Sequence, residues 1–120
     1  MASDLKYRCY SFSINTIKYL RSIKWDAFGI IVAKQSLRSA MSVGANVVEG
    51  KNSSSRVEFK RYYEIALKSC NETKYWFCIL RDGFECTDNE LKTLLHECDE
   101  LSKILAASIL TLKNKKKETN

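Results

Sequence analysis

The sequence predicts an all-α protein, an antiparallel up-down-up-down four-helix bundle. Three observations carry that prediction. The 120 residues contain no proline and only four glycines, which suits helices joined by short turns better than a tightly turning sheet. Apolar residues recur at intervals of three and four along four separate stretches. Two junctions between those stretches, Ser55-Arg56-Val57-Glu58 and Thr87-Asp88-Asn89-Glu90, read as capping boxes, in which a hydroxyl and a glutamate satisfy helix-start amides reciprocally.

The first helix is expected over about 4–22, where Leu5, Cys9, Phe12, Thr16 and Tyr19/Leu20 form a seam and Lys6, Arg8, Lys18 and Arg21 lie mostly off it. Asp26 is a suitable N-cap for a second helix over about 27–50. Gly50 stands where a left-handed C-cap would end it, before the loop Lys51-Asn52-Ser53-Ser54. The third helix is expected over about 56–82, with Phe59, Tyr62, Ala66, Ser69, Thr73, Trp76 and Leu80 as its seam, flanked by Tyr63, Leu67, Cys70 and Phe77. Glu64 and Lys68 form an i, i+4 pair on it. The fourth runs over about 88–113, where Leu91, Leu94, Cys98, Leu101, Leu105, Ser108 and Leu112 keep a strict heptad that calls for near-parallel packing. Residues 1–113 thus make one domain, and 114–120 read as a basic disordered tail with no apolar face.

The second helix carries the most unusual pattern. At about 100° per residue, Ile30, Ala33, Leu37, Ala40, Val43, Gly44, Val47 and Val48 share an apolar arc. Gln35, Arg38, Ser42, Asn46 and Glu49 gather on the opposite side. Ser, Asn and Gly are mediocre helix residues, and Gly costs about 1 kcal/mol against Ala. A close approach of another helix or subunit explains a polar stripe kept at that cost, and so does a plain solvated face. Periodicity does not choose between them. Glu72 on the third helix is a further inward-facing candidate, with Arg38 as its natural partner.

Charge is unevenly placed. The net +6 divides into +8 over residues 1–81, −5 over 82–112 and +3 from Lys113 onward. A basic body with one acidic stretch suits nucleic-acid binding, and it equally suits oppositely charged faces meeting between subunits. The phosphate-binding candidates are Lys51, Arg56, Lys60 and Arg61 around the second loop. Phe59, Tyr62 and Tyr63 are interleaved with them, and read more simply as core than as base-stacking platforms.

Catalytic and metal chemistry finds little support. Five cysteines form no Cys-x-x-Cys pair, and with the single His96 they assemble no zinc site of ordinary spacing. Buried free thiols are the expectation, with Cys86 beside a loop the most exposed. His96 reads as a surface residue: Asn89, Glu90 and Leu91 stand where an arginine separated from it by four to six residues would be, and Thr93 occupies the place where a di-metal bundle needs glutamate. The serine-rich loop lacks the glycines of a phosphate loop. No enzymatic activity and no cofactor are expected. The longest apolar run is far shorter than the roughly 20 residues of a membrane span, and the N-terminus lacks a signal-peptide pattern, so the expected location is the cytoplasm.

The stretch Gln35–Gly50, with its Ser-Val-Gly-Ala-Asn-Val-Val-Glu-Gly, resembles the signature of the small bacterial four-helix proteins named after 23S rRNA intervening sequences. The segment from Phe59 through Ile65-Ala66-Leu67-Lys68-Ser69-Cys70-Asn71-Glu72-Thr73-Lys74-Tyr75-Trp76 is similar to that family too, as is Leu94-Leu95-His96-Glu97-Cys98-Asp99-Glu100-Leu101. The chain departs from the family pattern at Gly44, where proline is frequent, and at Leu37, where a second basic residue is frequent. The resemblance implies a bacterial cytoplasmic bundle that assembles into a ring, typically a homopentamer. It also implies kinship with the accessory variability determinant of diversity-generating retroelements, a basic pentameric bundle that binds nucleic acid and a reverse transcriptase.

Two functions are expected on these grounds. One is a non-catalytic accessory factor that binds RNA or DNA on a basic ring surface, serving a reverse transcriptase or an rRNA-linked element. The other is a protein-interaction scaffold whose stripe at Gln35, Arg38, Ser42, Asn46, Glu49 and Glu72 serves subunit or partner contacts.

Overall fold

A computed structural model describes the backbone of residues 2–119 and the side chains of 5–114. Four helices account for it: α1 (Ala2–Arg21), α2 (Ala27–Lys51), α3 (Arg56–Gly83) and α4 (Asn89–Thr119), with no strand among the described residues. The molecule measures 54 × 23 × 21 Å. Helices adjacent in the chain pack on one another, α2 against α3 most extensively, and α4 returns to close loosely on α1.

The core follows from the apolar spacing of each helix. Leu5, Cys9, Phe12, Tyr19 and Leu20 of α1 are buried as their spacing requires. Phe12 meets Phe77 edge-on at a centroid distance of 6.3 Å across the bundle. On α3 the buried line is Tyr63, Ala66, Cys70, Thr73, Phe77 and Leu80. The line expected through Phe59, Tyr62, Ser69 and Trp76 is only half-buried, because a helix with neighbours on two sides has a wide apolar arc whose centre periodicity locates poorly. On α4, Leu91, Leu94, Cys98, Leu101 and Leu105 are buried, but the next core residue is Ile109, not Ser108. A straight helix drifts about 20° per heptad from a 3.5-residue repeat, which moves the seam by one residue.

Small residues dominate the buried side of α2: Gly29, Ala33, Ser36, Ser39, Ala40, Val43, Val47 and Gly50. Ile30, expected in the apolar arc, is exposed instead. Gly50 does not end α2 in a left-handed cap. The helix continues to Lys51, the cap residue is Asn52 at φ −92°, and no described glycine has positive φ. Gly50 is required for proximity: a Cβ there would stand 3.0 Å from Tyr63 Cδ1 and 3.2 Å from Tyr62 Cβ. Gly44 similarly admits α1, since its Cβ would lie 3.2 Å from Cys9 Cβ.

The helix starts are formed largely as expected. Asp26 accepts from the Phe28 and Gly29 amides at 3.1 and 2.7 Å, and Ser55 Oγ accepts from the Glu58 amide at 3.1 Å. The cap of α4 is Asp88 rather than Thr87: its Oδ1 accepts from the Leu91 amide at 3.0 Å, while Oδ2 accepts from Tyr19 Oη at 3.0 Å. A carboxylate that serves both a positive helix end and a buried phenol outcompetes a hydroxyl. Glu64 pairs with Lys60 at 3.6 Å, one turn back, rather than with the expected Lys68. The backbone of α4 stays helical to Thr119, past the end expected near 113. Lysine and glutamate are good helix formers, so propensity does not stop the helix there. The side chains of the expected tail beyond Asn114 lie outside the described residues.

Candidate functional site

Two features gather the sequence-predicted residues, and a third joins residues that no local pattern connects. The first is the basic cluster where α2 turns into α3. Arg56, the first residue of α3, and Arg61 are exposed, and neither has an ion pair among the described residues. Lys60 is half-buried against Glu64. Lys51 is half-buried in the last turn of α2, where a cation suits the negative helix end. Arg56 is placed against that rule, because a cation in a first turn opposes the helix dipole by about 0.3–1 kcal/mol. The cap beside it is the neutral Ser55, and Glu58 is the only acid of that turn. The interleaved aromatics point inward: Tyr63 is 3% exposed, and Phe59 stacks on it at a centroid distance of 4.4 Å.

The second feature is the polar stripe of α2, which meets a matching set on α3. Ser42 and Ser69 share a hydrogen bond of 2.9 Å, and Asn46 Nδ2 donates to the Ser42 carbonyl and hydroxyl at 2.8 and 3.0 Å. Thr73 Oγ1 donates to Ser39 Oγ at 2.8 Å inside the core. Further out, Arg38 donates to Gln35 Oε1 at 3.3 and 3.0 Å and to Glu72 Oε2 at 3.3 Å. Trp76 Nε1 donates to that same carboxylate oxygen at 3.1 Å. The stripe therefore stitches α2 to α3. Glu72 pairs with Arg38 as expected, but at the partly exposed rim rather than inside, and Glu49 stands on the exposed face. Ser36, Ser39, Ser69, Thr73 and Trp76 complete the network, and hydroxyl residues at core spacing on two helices are the signal that could have found them.

The third feature is a groove of about 580 Å³ between α1 and α4, with Ser11, Asn15 and Lys18 on one wall and Asp88, Glu90 and His96 on the other. It opens where the helix contacts are sparsest. At its flank Glu97 accepts from Arg8 Nε at 3.0 Å and from Nη2. That bond is the main reason the guanidinium holds its proton more firmly than usual. Hydrogen bonding between Cys70 and Cys98, together with burial, pushes the Cys98 thiol up. Burial and the neighbouring Cys70 push the Cys9 thiol up to about 12. These thiols behave as core groups, as expected, while Cys78 and Cys86 are half-buried. His96 is exposed. No group of His, Cys, Asp and Glu suited to hold a metal ion occurs among the described residues. No described helix is long and apolar enough to cross a membrane.

Residues 7–107 match the 23S rRNA-intervening sequence protein family. Among solved structures, the chain is similar to a protein of unknown function from the S23 ribosomal protein family of Bacteroides thetaiotaomicron. The two are 27% identical with a TM-score of 0.77, over 88% of this chain and 97% of that one. No curated protein matches this chain.

Proposed function

We propose that this chain, which belongs to the 23S rRNA-intervening sequence protein family, is a non-catalytic, nucleic-acid-binding accessory factor of the cytoplasm that works as a homo-oligomeric ring. The observation that carries the reading is the pair of exposed arginines, Arg56 and Arg61, held beside a neutral helix cap with no ion pair among the described residues. Three of the other four arginines are closed onto carboxylates, Arg8 on Glu97, Arg38 on Glu72 and Arg81 on Asp82, while Arg21 at the far end of α1 stands exposed without a second such arginine beside it. Free guanidinium groups are the form that binds phosphate.

An up-down-up-down order supports the reading, because it gathers further cations at the same end. Cys70 Sγ donates to the Cys98 carbonyl at 3.2 Å. Fourteen residues separate Cys70 from Arg56 along α3, and Cys98 from Leu112 along α4. Such an order would bring Leu112 level with Arg56 and the exposed Lys113 one residue beyond it. Tyr19 with Asp88 and Arg8 with Glu97 give the same sense between α1 and α4. Self-association is supported by the outer faces of α1 and α2, where Tyr7, Tyr10, Ile31 and Met41 are exposed. Large apolar side chains exposed on two adjacent helices suit an interaction surface. The pentameric count and a reverse-transcriptase or rRNA-linked partner are assigned on the sequence resemblance alone.

A protein-interaction scaffold is the second reading, favoured by the outer rim of the α2–α3 seam. Arg38, Trp76 and exposed Tyr75 meet there, and the two rings stand edge-on at 5.2 Å. Arginine, tryptophan and tyrosine are the residues that dominate protein interfaces. Fluorescence anisotropy with a short structured RNA, read alongside light scattering over a salt series, separates the two. A ring-sized particle that takes up RNA with steep salt dependence supports the first. An intact oligomer that ignores RNA at low salt overturns it in favour of the second.

A further inference from the structure

Building on nucleic-acid binding as the function of this chain, we infer that the patch around Arg56, Lys60 and Arg61 takes the sugar–phosphate backbone of a double helix. It does so independently of sequence, and it does not grip single strands by their bases.

Proteins that hold single strands combine a basic track with exposed aromatic faces, each stacked base contributing about 1–3 kcal/mol. The sequence places three aromatics among the basic residues of this patch, as such a platform would need. The fold takes them away. Tyr63 is buried, with Phe59 lying on it at an interplanar angle of 28°. Tyr63 and Tyr62 both press on the backbone of Gly50, which is why a Cβ there would crowd them. Tyr63 and Tyr62 belong to the α2–α3 contact, and the half-buried Phe59 has one face covered by Tyr63, so none of the three stands out from the surface as a stacking platform.

The polar groups left at the surface act in the same direction. Guanidinium and ammonium groups only donate, and phosphate oxygens only accept. The Ser53 hydroxyl already donates to the Gly50 carbonyl at 2.6 Å and the Ser55 oxygen accepts from the Glu58 amide, while the exposed Asn52 and Ser54 stand on the loop before the helical turns that carry the cations. Arg56 and Arg61, with Lys60 shared with Glu64 between them, fan around the first two turns of α3, over about 7.5 Å of helix. Such a spread engages separate phosphates rather than one base edge. A duplex concentrates the phosphates of two strands along one axis, about one charge every 1.7 Å in DNA, so a patch that recognises charge alone prefers it.

The test compares anisotropy titrations of the full chain with a 20-base-pair RNA duplex, a scrambled duplex, and unstructured poly(U) of equal length, in 50–200 mM salt. The duplexes are expected to bind equally well and about tenfold or more tighter than poly(U). Replacing Arg56 and Arg61 by alanine is expected to weaken both duplexes to the same degree, with helix content unchanged by circular dichroism. Poly(U) binding as tightly as duplex, or a strong preference between the two duplexes, would overturn the inference and leave nucleic-acid binding standing. No binding to any of them at the lowest salt would overturn both.

Discussion

The two ends of the bundle use the same helices and opposite chemistry. At one end the α1–α2 and α3–α4 connections lock together. Tyr19 donates to Asp88, Trp25 Nε1 donates to the Leu20 carbonyl at 2.9 Å, and Phe84 lies close enough to Gly29 that a Cβ there would touch its ring. Aspartates cap both helices that start there. Arg81 is closed onto Asp82 at 2.8 and 3.0 Å, which holds that carboxyl below its usual range. At the other end α2 turns into α3 through a short serine-rich loop with a neutral cap, and Arg56 and Arg61 meet no acid among the described residues. Both ends leave cations exposed, Arg21 and Lys24 at the first and Arg56 and Arg61 at the second, but only the first commits aspartates to its helix caps.

The largest effect should come from breaking the locked end. Asp88→Ala removes a helix cap and strands a buried phenol, so a loss of roughly 2–3 kcal/mol is expected in urea unfolding. RNA affinity should be unchanged, and a parallel loss of affinity would show that the two ends are not separable. Alkali should weaken each half through a different group. Burial and, at Tyr19, the bond to Asp88 make Cys9 and Tyr19 hold their protons longer in the folded chain than in the unfolded one. Their contribution is therefore complete below the ordinary thiol and phenol ranges and is lost above them, at about 1.4 kcal/mol per pH unit for each group. Melting temperatures from pH 8 to 11 should fall, less steeply in Cys9→Ala and Tyr19→Phe; parallel curves would contradict the assignment.

Smaller effects sharpen the contrast. Glu85, in the connection after α3, has φ 57°, a conformation that strains a side-chain-bearing residue by about 1 kcal/mol. Glu85→Gly should therefore stabilise the locked end by about that much, and a loss in its melting temperature would argue otherwise. Arg56→Ala should stabilise the loop end by a few tenths of a kcal/mol, since it relieves an unfavourable helix dipole contact. Destabilisation would mean the arginine serves the fold.

Much of this frame is legible in the sequence. The four helices, the caps at Asp26 and Ser55 and the seam of α1 follow from spacing and side-chain chemistry that act within a few residues. The departures come from what a second helix supplies. Gly50 reads as a helix stop until Tyr62 and Tyr63 of α3 are seen against it. Tyr62 and Trp76 look like core because an arc facing two neighbours is broader than one seam. The Arg38–Glu72 pair is legible as complementary charge, but the rest of the stripe looks like interface or solvent because Ser69, which Ser42 meets, lies 27 positions away. The groove between α1 and α4 joins the most distant helices in the chain and has no local signature. The basic cluster is legible as charge, but only the fold shows that its arginines meet no described acid and that its aromatics are withdrawn.

The central claim is that binding capacity resides at the loop end. It is tested most directly by the salt dependence of RNA-duplex affinity in two matched double variants, Arg56→Ala with Arg61→Ala, and Arg21→Ala with Lys24→Ala. The slope of log affinity against log salt should shrink by about two per protomer in the first and hold its wild-type value in the second. Equal losses in both variants, or a greater loss in the second, would contradict the account.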